Sequence, residues 1–223
     1  AAPEGPPCRT SIFMGTIDAR LIALDAMTGQ RCAAFGNNGE VGLAPEMKLV
    51  WPGEFQITSA PAIVGDVVVV GSAISDNNRV EAPHGAVTAL NARTGDVVWV
   101  FDPVPRKLDD PARATWKDGA DTVGHANVWS TISVDHKRGW VFLPTSSPSP
   151  DFFGGQRKSA NLYAISMVGL RGGTAGIREN PGRTCGSRDR RNAAARRPHF
   201  LPGAVGRAQF PRRRGEHAAE PGK

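Results

Sequence analysis

Long apolar runs are absent from this chain. No stretch approaches the ~18–20 uninterrupted apolar residues of a membrane span, and nowhere do apolar residues recur at helical spacing for ten or more positions. Also lacking are a His-Glu-x-x-His pair, a Gly-x-Ser-x-Gly elbow and a phosphate-binding P-loop. Their absence removes the zinc-protease, hydrolase and nucleotide-phosphate readings. Gly172-Gly173 alone makes no dinucleotide fingerprint. The opening "AAPEGPPCRT" has no initiator Met, no basic region and no apolar core, and so reads as a mature or internal stretch rather than an intact precursor. Cysteine is scarce: Cys8, Cys32 and Cys185 fit no zinc spacing. A Cys8–Cys32 disulfide in an oxidising compartment and a pair of unpaired buried thiols both fit that spacing.

Apolar residues are also unevenly spread over the 223 positions. Residues 171–223 offer only Ile177, Phe200, Leu201, Val205 and Phe210 as large apolar side chains, while all five Trp lie before them. That is too little area to offset the entropy of ordering the segment, so disorder is expected there. Charge follows the same division, with a net of −3 over residues 1–170 and +9 over 171–223, giving +6 for the chain. The basic isoelectric point therefore belongs to the tail.

The rest of the chain reads as β almost throughout. "SIFMGT" (11–16) and "RLIALD" (20–25) are short apolar runs joined by a polar connection. "PAIVGDVVVVGSA" (61–73) predicts a hairpin turning at Gly65-Asp66, and residues 86–103 a second turning at Thr94-Gly95-Asp96. Residues 128–145 predict a third, with its turn at Asp135–Gly139. Polar, Pro-rich loops are expected at 36–58, 74–85, 102–126 and 146–160. The fold class is all-β.

Two of these segments repeat one another. "IALDAMTGQRCAAF" at 22–35 aligns with "TALNARTGDVVWVF" at 88–101, pairing Asp25 with Asn91, Thr28-Gly29 with Thr94-Gly95 and Ala33 with Trp99. The Asp/Asn side chain can cap the turn and the glycine supplies a positive φ. An aromatic four residues after the glycine would pack beneath the neighbouring sheet. The 66-residue spacing suits one four-stranded propeller blade with its loops. A β-sandwich is the alternative that the pattern leaves open. A third copy, "VGLRGGTAGIREN" (168–180), keeps Leu170 and Gly172-Gly173-Thr174 and nothing after.

Three longer strings are more specific. "RLIALDAMTGQRCAAFGNNGEVGL", "ITSAPAIVGDVVVVGSAISDNNRVEAPHGAV" and "DTVGHANVWSTISVDHKRGWVFLPTSSPSPDFFGG" resemble the pyrroloquinoline-quinone (PQQ) dehydrogenases, most closely the membrane-associated glucose/quinate type. The resemblance runs from Cys8 to Thr174. It implies two to three blades of an eight-bladed propeller over residues 1–174, followed by an Arg/Gly/Pro-rich tail over 175–223. It further implies PQQ with Ca²⁺ or Mg²⁺, a sugar or polyol substrate, ubiquinone as electron acceptor, and a periplasmic, membrane-associated setting for the full-length protein. By the same resemblance Trp129 matches the tryptophan on which PQQ stacks. Asp76 and Asn77 match an acidic-amide pair near cofactor and metal, and Glu81 is a further oxygen ligand. Asp18 falls at a cofactor-proximal position that holds His in some relatives. Ser147 stands where alcohol-oxidising relatives place an Asn metal ligand, which argues for the sugar/polyol branch. His84 and His125 lie in loops that would face the channel and read as surface or hydrogen-bonded core histidines.

Beyond Thr174 the family pattern stops, with no docking Trp and no acidic cluster. A shifted reading frame in a GC-rich gene, or an abnormal terminus, is the expected cause, and it places the catalytic base beyond the break. The expectation is a chain inactive on its own. Two other function classes compete. One is a non-enzymatic propeller scaffold. The other is salt-sensitive binding of nucleic acid or an anionic surface through the twelve Arg of the last 53 residues, with no specific nucleic-acid recognition expected.

Overall fold

The computed structural model describes residues 7–44, 47–75 and 78–172. All of its named strands pair antiparallel. Strands β1 (Ser11–Gly15), β2 (Arg20–Asp25) and β3 (Glu40–Gly42) form a first sheet in that order. β4 (Phe55–Gln56) pairs with β7 (Ala73–Ile74) as a small ribbon. β5 (Ala62–Val64), β6 (Val67–Val70), β8 (Val87–Asn91) and β9 (Val97–Phe101) make a four-stranded meander. β10 (Ser133–Asp135), β11 (Trp140–Pro144) and β12 (Met167–Arg171) make the third sheet.

The three hairpins lie where their turn residues predict. Val64 pairs with Val67, leaving Gly65-Asp66 as a two-residue turn. β8 and β9 are joined through Thr94-Gly95-Asp96, and Asp135 pairs with Trp140 across the third turn.

Strand β6 shows how the sheets stack. All four of its valines are buried, a run with no polar face. Because successive side chains point to opposite faces, Val67 and Val69 join one core while Val68 and Val70 join another. The first core sets them with Val64, Val87, Trp99 and Phe101 against Val141, Leu143, Val168 and Leu170 of the third sheet. The second sets Val68, Val70 and Leu90 against Leu21, Ala23 and Phe35 of the first-sheet region. The middle sheet is thus packed on both faces, as a propeller blade between two neighbours must be.

Three expectations need correction. Ala33 is exposed, and the buried aromatic of the first repeat is Phe35 instead. The 36–58 loop contains β3 and β4, which are short strands fixed by their partners β2 and β7 rather than by their own pattern. The 102–126 loop contains two 3-10 helices, Pro111–Thr115 and Lys117–Asp121, too short to show a period. Asp110 caps the first by accepting from the Ala112 N–H at 2.8 Å. The buried Trp116 indole that follows donates to the Leu162 carbonyl at 3.0 Å.

Of the two cysteine alternatives the structure shows the disulfide, Cys8–Cys32, which ties the chain entering β1 to the segment after β2. The truncated third repeat beyond Gly172 and the whole basic tail lie outside the described residues.

Candidate functional site

Three connections meet at one junction: 82–85, 124–128 and 145–149. The backbone at His125 bridges in parallel to His84 and antiparallel to Pro148. His125 N–H donates to the Pro83 carbonyl and Ala126 N–H to the Ser147 carbonyl, both at 3.0 Å. Ser146 N–H donates to the Asn127 carbonyl at 3.0 Å. Backbones come this close only where side chains are missing. A Cβ on Gly85 would sit 2.2 Å from the His125 carbonyl oxygen, and one on Gly124 would sit 2.1 Å from that of Ala82. Side chains finish the seam: Asn127 Nδ2 donates to the Ser72 carbonyl at 2.7 Å, and Gly124 N–H donates to Ser149 Oγ at 2.8 Å.

His125 and Ala126 both have positive φ, 56° and 57°. For residues with a Cβ this region costs about 1–2 kcal/mol each, so the hydrogen bonds around the turn must over-determine it. The His125 ring is fully buried, with Nδ1 3.3 Å from Asp151 Oδ1. Its Nε2 is buried and has no hydrogen-bond partner among the described residues, and the same is true of Ser72 Oγ.

Trp129 emerges four residues after His125, beyond the buried Val128. Its indole is 59% exposed, in contrast to Trp99 and Trp116, which are core residues. A large flat apolar face held open beside a rigid polar junction suits a planar, polar-edged ligand. The expected stacking residue therefore sits where such a ligand could reach it.

The other expected residues are dispersed. Asp76 and Asn77 lie outside the described residues. Glu81 is exposed on the same connection, between β7 and β8. Asp18 occupies the β1–β2 turn, where its carboxylate takes Arg20 Nε at 2.9 Å. A Thr16 side-chain hydrogen bond and Arg20 hold Asp18 below the usual carboxylate range. Its described contacts do not connect it to the junction. Ser147 does belong there: its carbonyl receives Ala126, and its Oγ accepts from Arg157 Nη2 at 3.2 Å. The same guanidinium spans the Pro150 and Asp151 carbonyls, each at 3.2 Å. His84 is half exposed and pairs through Nδ1 with Asp102 at 3.2 Å.

Sequence reasoning missed a buried ion pair beside this site. Glu54, 1% exposed, takes Arg79 Nε at 2.6 Å and the Val50 N–H at 2.8 Å. Burial opposes its ionisation, but Arg79, the Val50 N–H and the nearby His125 hold its carboxyl below the usual range. Arg79 thereby fastens the connection that carries Asp76, Asn77 and Glu81. Neither residue stands in a motif, and 25 positions separate them.

Among the described residues no group of three or more His, Cys, Asp or Glu could hold a metal ion. A cation would depend on Asp76 and Asn77, with Glu81 as the described carboxylate nearest them in sequence. For a planar quinone the residues fit better, since the Trp129 face is exposed and the seam beside it carries buried polar atoms.

Known proteins resemble this chain over most of its length. The family model for the PQQ glucose/ethanol/alcohol dehydrogenase β-propeller domain matches residues 1–177. The quinate/shikimate dehydrogenase (quinone) of Acinetobacter baylyi is 38% identical over 168 residues, covering 73% of this chain and 20% of that protein. The quinoprotein glucose dehydrogenase of Gluconobacter oxydans is 34% identical over 177 residues, covering 77% and 21% respectively. The quinohemoprotein alcohol dehydrogenase ADHIIG of Pseudomonas putida HK5 superposes with a TM-score of 0.60 at 26% identity, covering 73% of this chain and 23% of that one. The chain thus spans about a fifth of the length of the curated relatives it matches. With three stacked antiparallel sheets, an exposed tryptophan on a strained junction and a family match over most of its length, this chain belongs to the PQQ-dependent quinoprotein dehydrogenases as part of their β-propeller domain.

Proposed function

We propose that this chain supplies part of the cofactor face of a dehydrogenase that oxidises a sugar or polyol hydroxyl, of the glucose or quinate type, and passes the electrons to ubiquinone. The observation that supports it most is Trp129, exposed beside a turn whose backbone is bonded to two other connections. PQQ, when bound with Ca²⁺ or Mg²⁺, supplies the quinone carbonyl that accepts hydride from the substrate carbon. Trp129 would stack against the flat ring system and exclude water from that side. The Glu54–Arg79 pair fastens the connection between β7 and β8, on which Asp76, Asn77 and Glu81 would supply oxygen ligands to the cation. The hydrogen-bonded 124–128 seam holds the main chain that leads into Trp129.

None of the described residues of the junction is assigned the removal of the substrate proton. That step belongs to the complete propeller, and we expect turnover to require it. A periplasmic, membrane-associated setting is part of the same reading. Among the described residues no helix is long and apolar enough to cross a membrane.

Titrating the chain with PQQ, with and without Ca²⁺, tests the proposal by tryptophan fluorescence. Cation-dependent quenching, lost in Trp129→Ala, is expected. Quenching unchanged by that substitution would remove Trp129 from the site. Robust dye reduction by the 223-residue chain with glucose or quinate would overturn the assignment of turnover to the complete propeller.

A further inference from the structure

The fully buried His125 is an uneconomical choice for a core position. Its Nε2 has no partner among the described residues, and a buried unsatisfied nitrogen lowers stability. Its backbone is left-handed, as is that of Ala126. An apolar residue would avoid the first cost and a glycine the second. What His125 alone supplies is the Nδ1 contact with Asp151, 26 residues away, in the loop that also holds Ser147. That contact closes a ring of bonds around one short segment. His125 N–H reaches Pro83, Ala126 N–H reaches Ser147, and Nδ1 reaches Asp151. Arg157 then holds Asp151 and Ser147 from the far side, through their carbonyl and hydroxyl oxygens.

We propose that His125 is a positioning residue: by its Nδ1 bond to Asp151 it locks the 124–128 turn and so fixes the direction in which Trp129 presents its indole. The inference rests on the reading of Trp129 as the stacking face and adds the device that sets it. Asn127, bonded to Ser72 and Ser146, holds the end of the turn nearer Trp129, and His125 closes its other end; β10 begins only at Ser133. The ring does not touch the ligand. It acts through the three intervening residues and an aspartate.

The side-chain geometry gives a discriminating pair of variants. Asn places an amide near the position of Nδ1, whereas Gln places it near Nε2. His125→Asn keeps the bond to Asp151 and His125→Gln loses it. Asp151→Ala removes the acceptor from the rim without touching the core. The 223-residue chain is labelled with 5-fluorotryptophan and the Trp129 resonance assigned by its loss in Trp129→Phe. Without ligand, that ¹⁹F resonance is expected to shift or broaden in His125→Gln and Asp151→Ala and to stay in place in His125→Asn. The other four tryptophan resonances report whether each variant folds. PQQ binding should weaken about tenfold in the first two, the scale of supporting-residue effects, and return in His125→Asn. A Trp129 resonance unmoved by Asp151→Ala, or moved equally by His125→Asn and His125→Gln, overturns the positioning role. Binding unaffected by Trp129→Ala instead overturns the stacking reading, and the ligand-free resonance still decides what His125 does.

Discussion

The two Thr-Gly turns, at 25–29 and 91–95, are built alike and anchored differently. In each, the first residue's Oδ1 accepts the N–H groups two and three positions on: Met27 and Thr28 for Asp25, Arg93 and Thr94 for Asn91. In each, the glycine N–H returns to the first residue's carbonyl at 2.8 Å, with φ of 71° at Gly29 and 78° at Gly95. The difference lies outside the turn. The second is docked onto the first-sheet region, where Gly36 N–H donates to the Thr94 carbonyl at 2.8 Å and a Cβ on Gly95 would meet Gly36 N at 2.7 Å. The first has no such neighbour among the described residues: a Cβ on Gly29 would meet nothing within 4 Å. Instead, Asp25 takes the Cys8 N–H through Oδ2, and Cys8 is bound to Cys32. One turn is held by the next blade, and its counterpart by a covalent staple and a charge.

That contrast can be broken at its aromatic first. Trp99, buried after the docked turn, is expected to lose about 3–5 kcal/mol on truncation to Ala. Truncation of the exposed Ala33 to Gly should be close to neutral, and urea midpoints compare them. Next comes the staple. Reducing Cys8–Cys32, which closes a span of 24 residues, should cost about 3–4 kcal/mol by the loop-entropy estimate. Hydrogen exchange should then rise at β1 and β2 before it rises at β8 and β9. A finer test compares the glycines. Gly95→Ala adds a clash to an unfavourable φ and should cost about 2–4 kcal/mol, whereas Gly29→Ala bears the φ cost alone, about 1–2 kcal/mol. Equal losses would mean that the docking contact is energetically idle.

The smallest effect is electrostatic. The Cys8 N–H, followed by the Thr28 N–H, holds the Asp25 carboxyl below its ordinary value near 3.8. Such a group stabilises fully above its unfolded value, and that contribution is lost as pH falls through the folded one. Acidification from pH 7 to pH 3 should therefore destabilise the native chain more than Asp25→Asn. The same change at Asn91, already an amide, has no counterpart. Chemical denaturation at the two pH values reads the difference.

Much of this architecture was legible because local chemistry and tertiary need coincide. Gly65-Asp66 and Thr94-Gly95 turn the chain with no help from distant residues, and Val67–Val70 announces a strand with no solvent face. The pairing of Ala33 with Trp99 does not extend to burial, because counting from Gly29 assumes an equal path to the core. The turn after Cys32 delivers Phe35 instead of Ala33, with Phe35 N–H donating to the Cys32 carbonyl at 2.8 Å. Trp129 could be picked out only by resemblance, since an exposed and a buried tryptophan look the same in a hairpin sequence. His125–Asp151 and Glu54–Arg79 were illegible for another reason. Each joins connections that have no pattern of their own, across 26 and 25 positions, and the partners meet only after the sheets have stacked.

Strand β6 also constrains the order of events during synthesis. Val68 and Val70 find their partners in residues already made, from Leu21 to Phe35. Val67, Val69 and Trp99 must wait until Val141, Leu143, Val168 and Leu170 leave the ribosome. For that interval the nascent chain carries a finished sheet with one apolar, uncharged side uncovered, a surface suited to chaperones and to other unfinished copies alike. Translation speed between residues 101 and 168 then decides how long that hazard lasts.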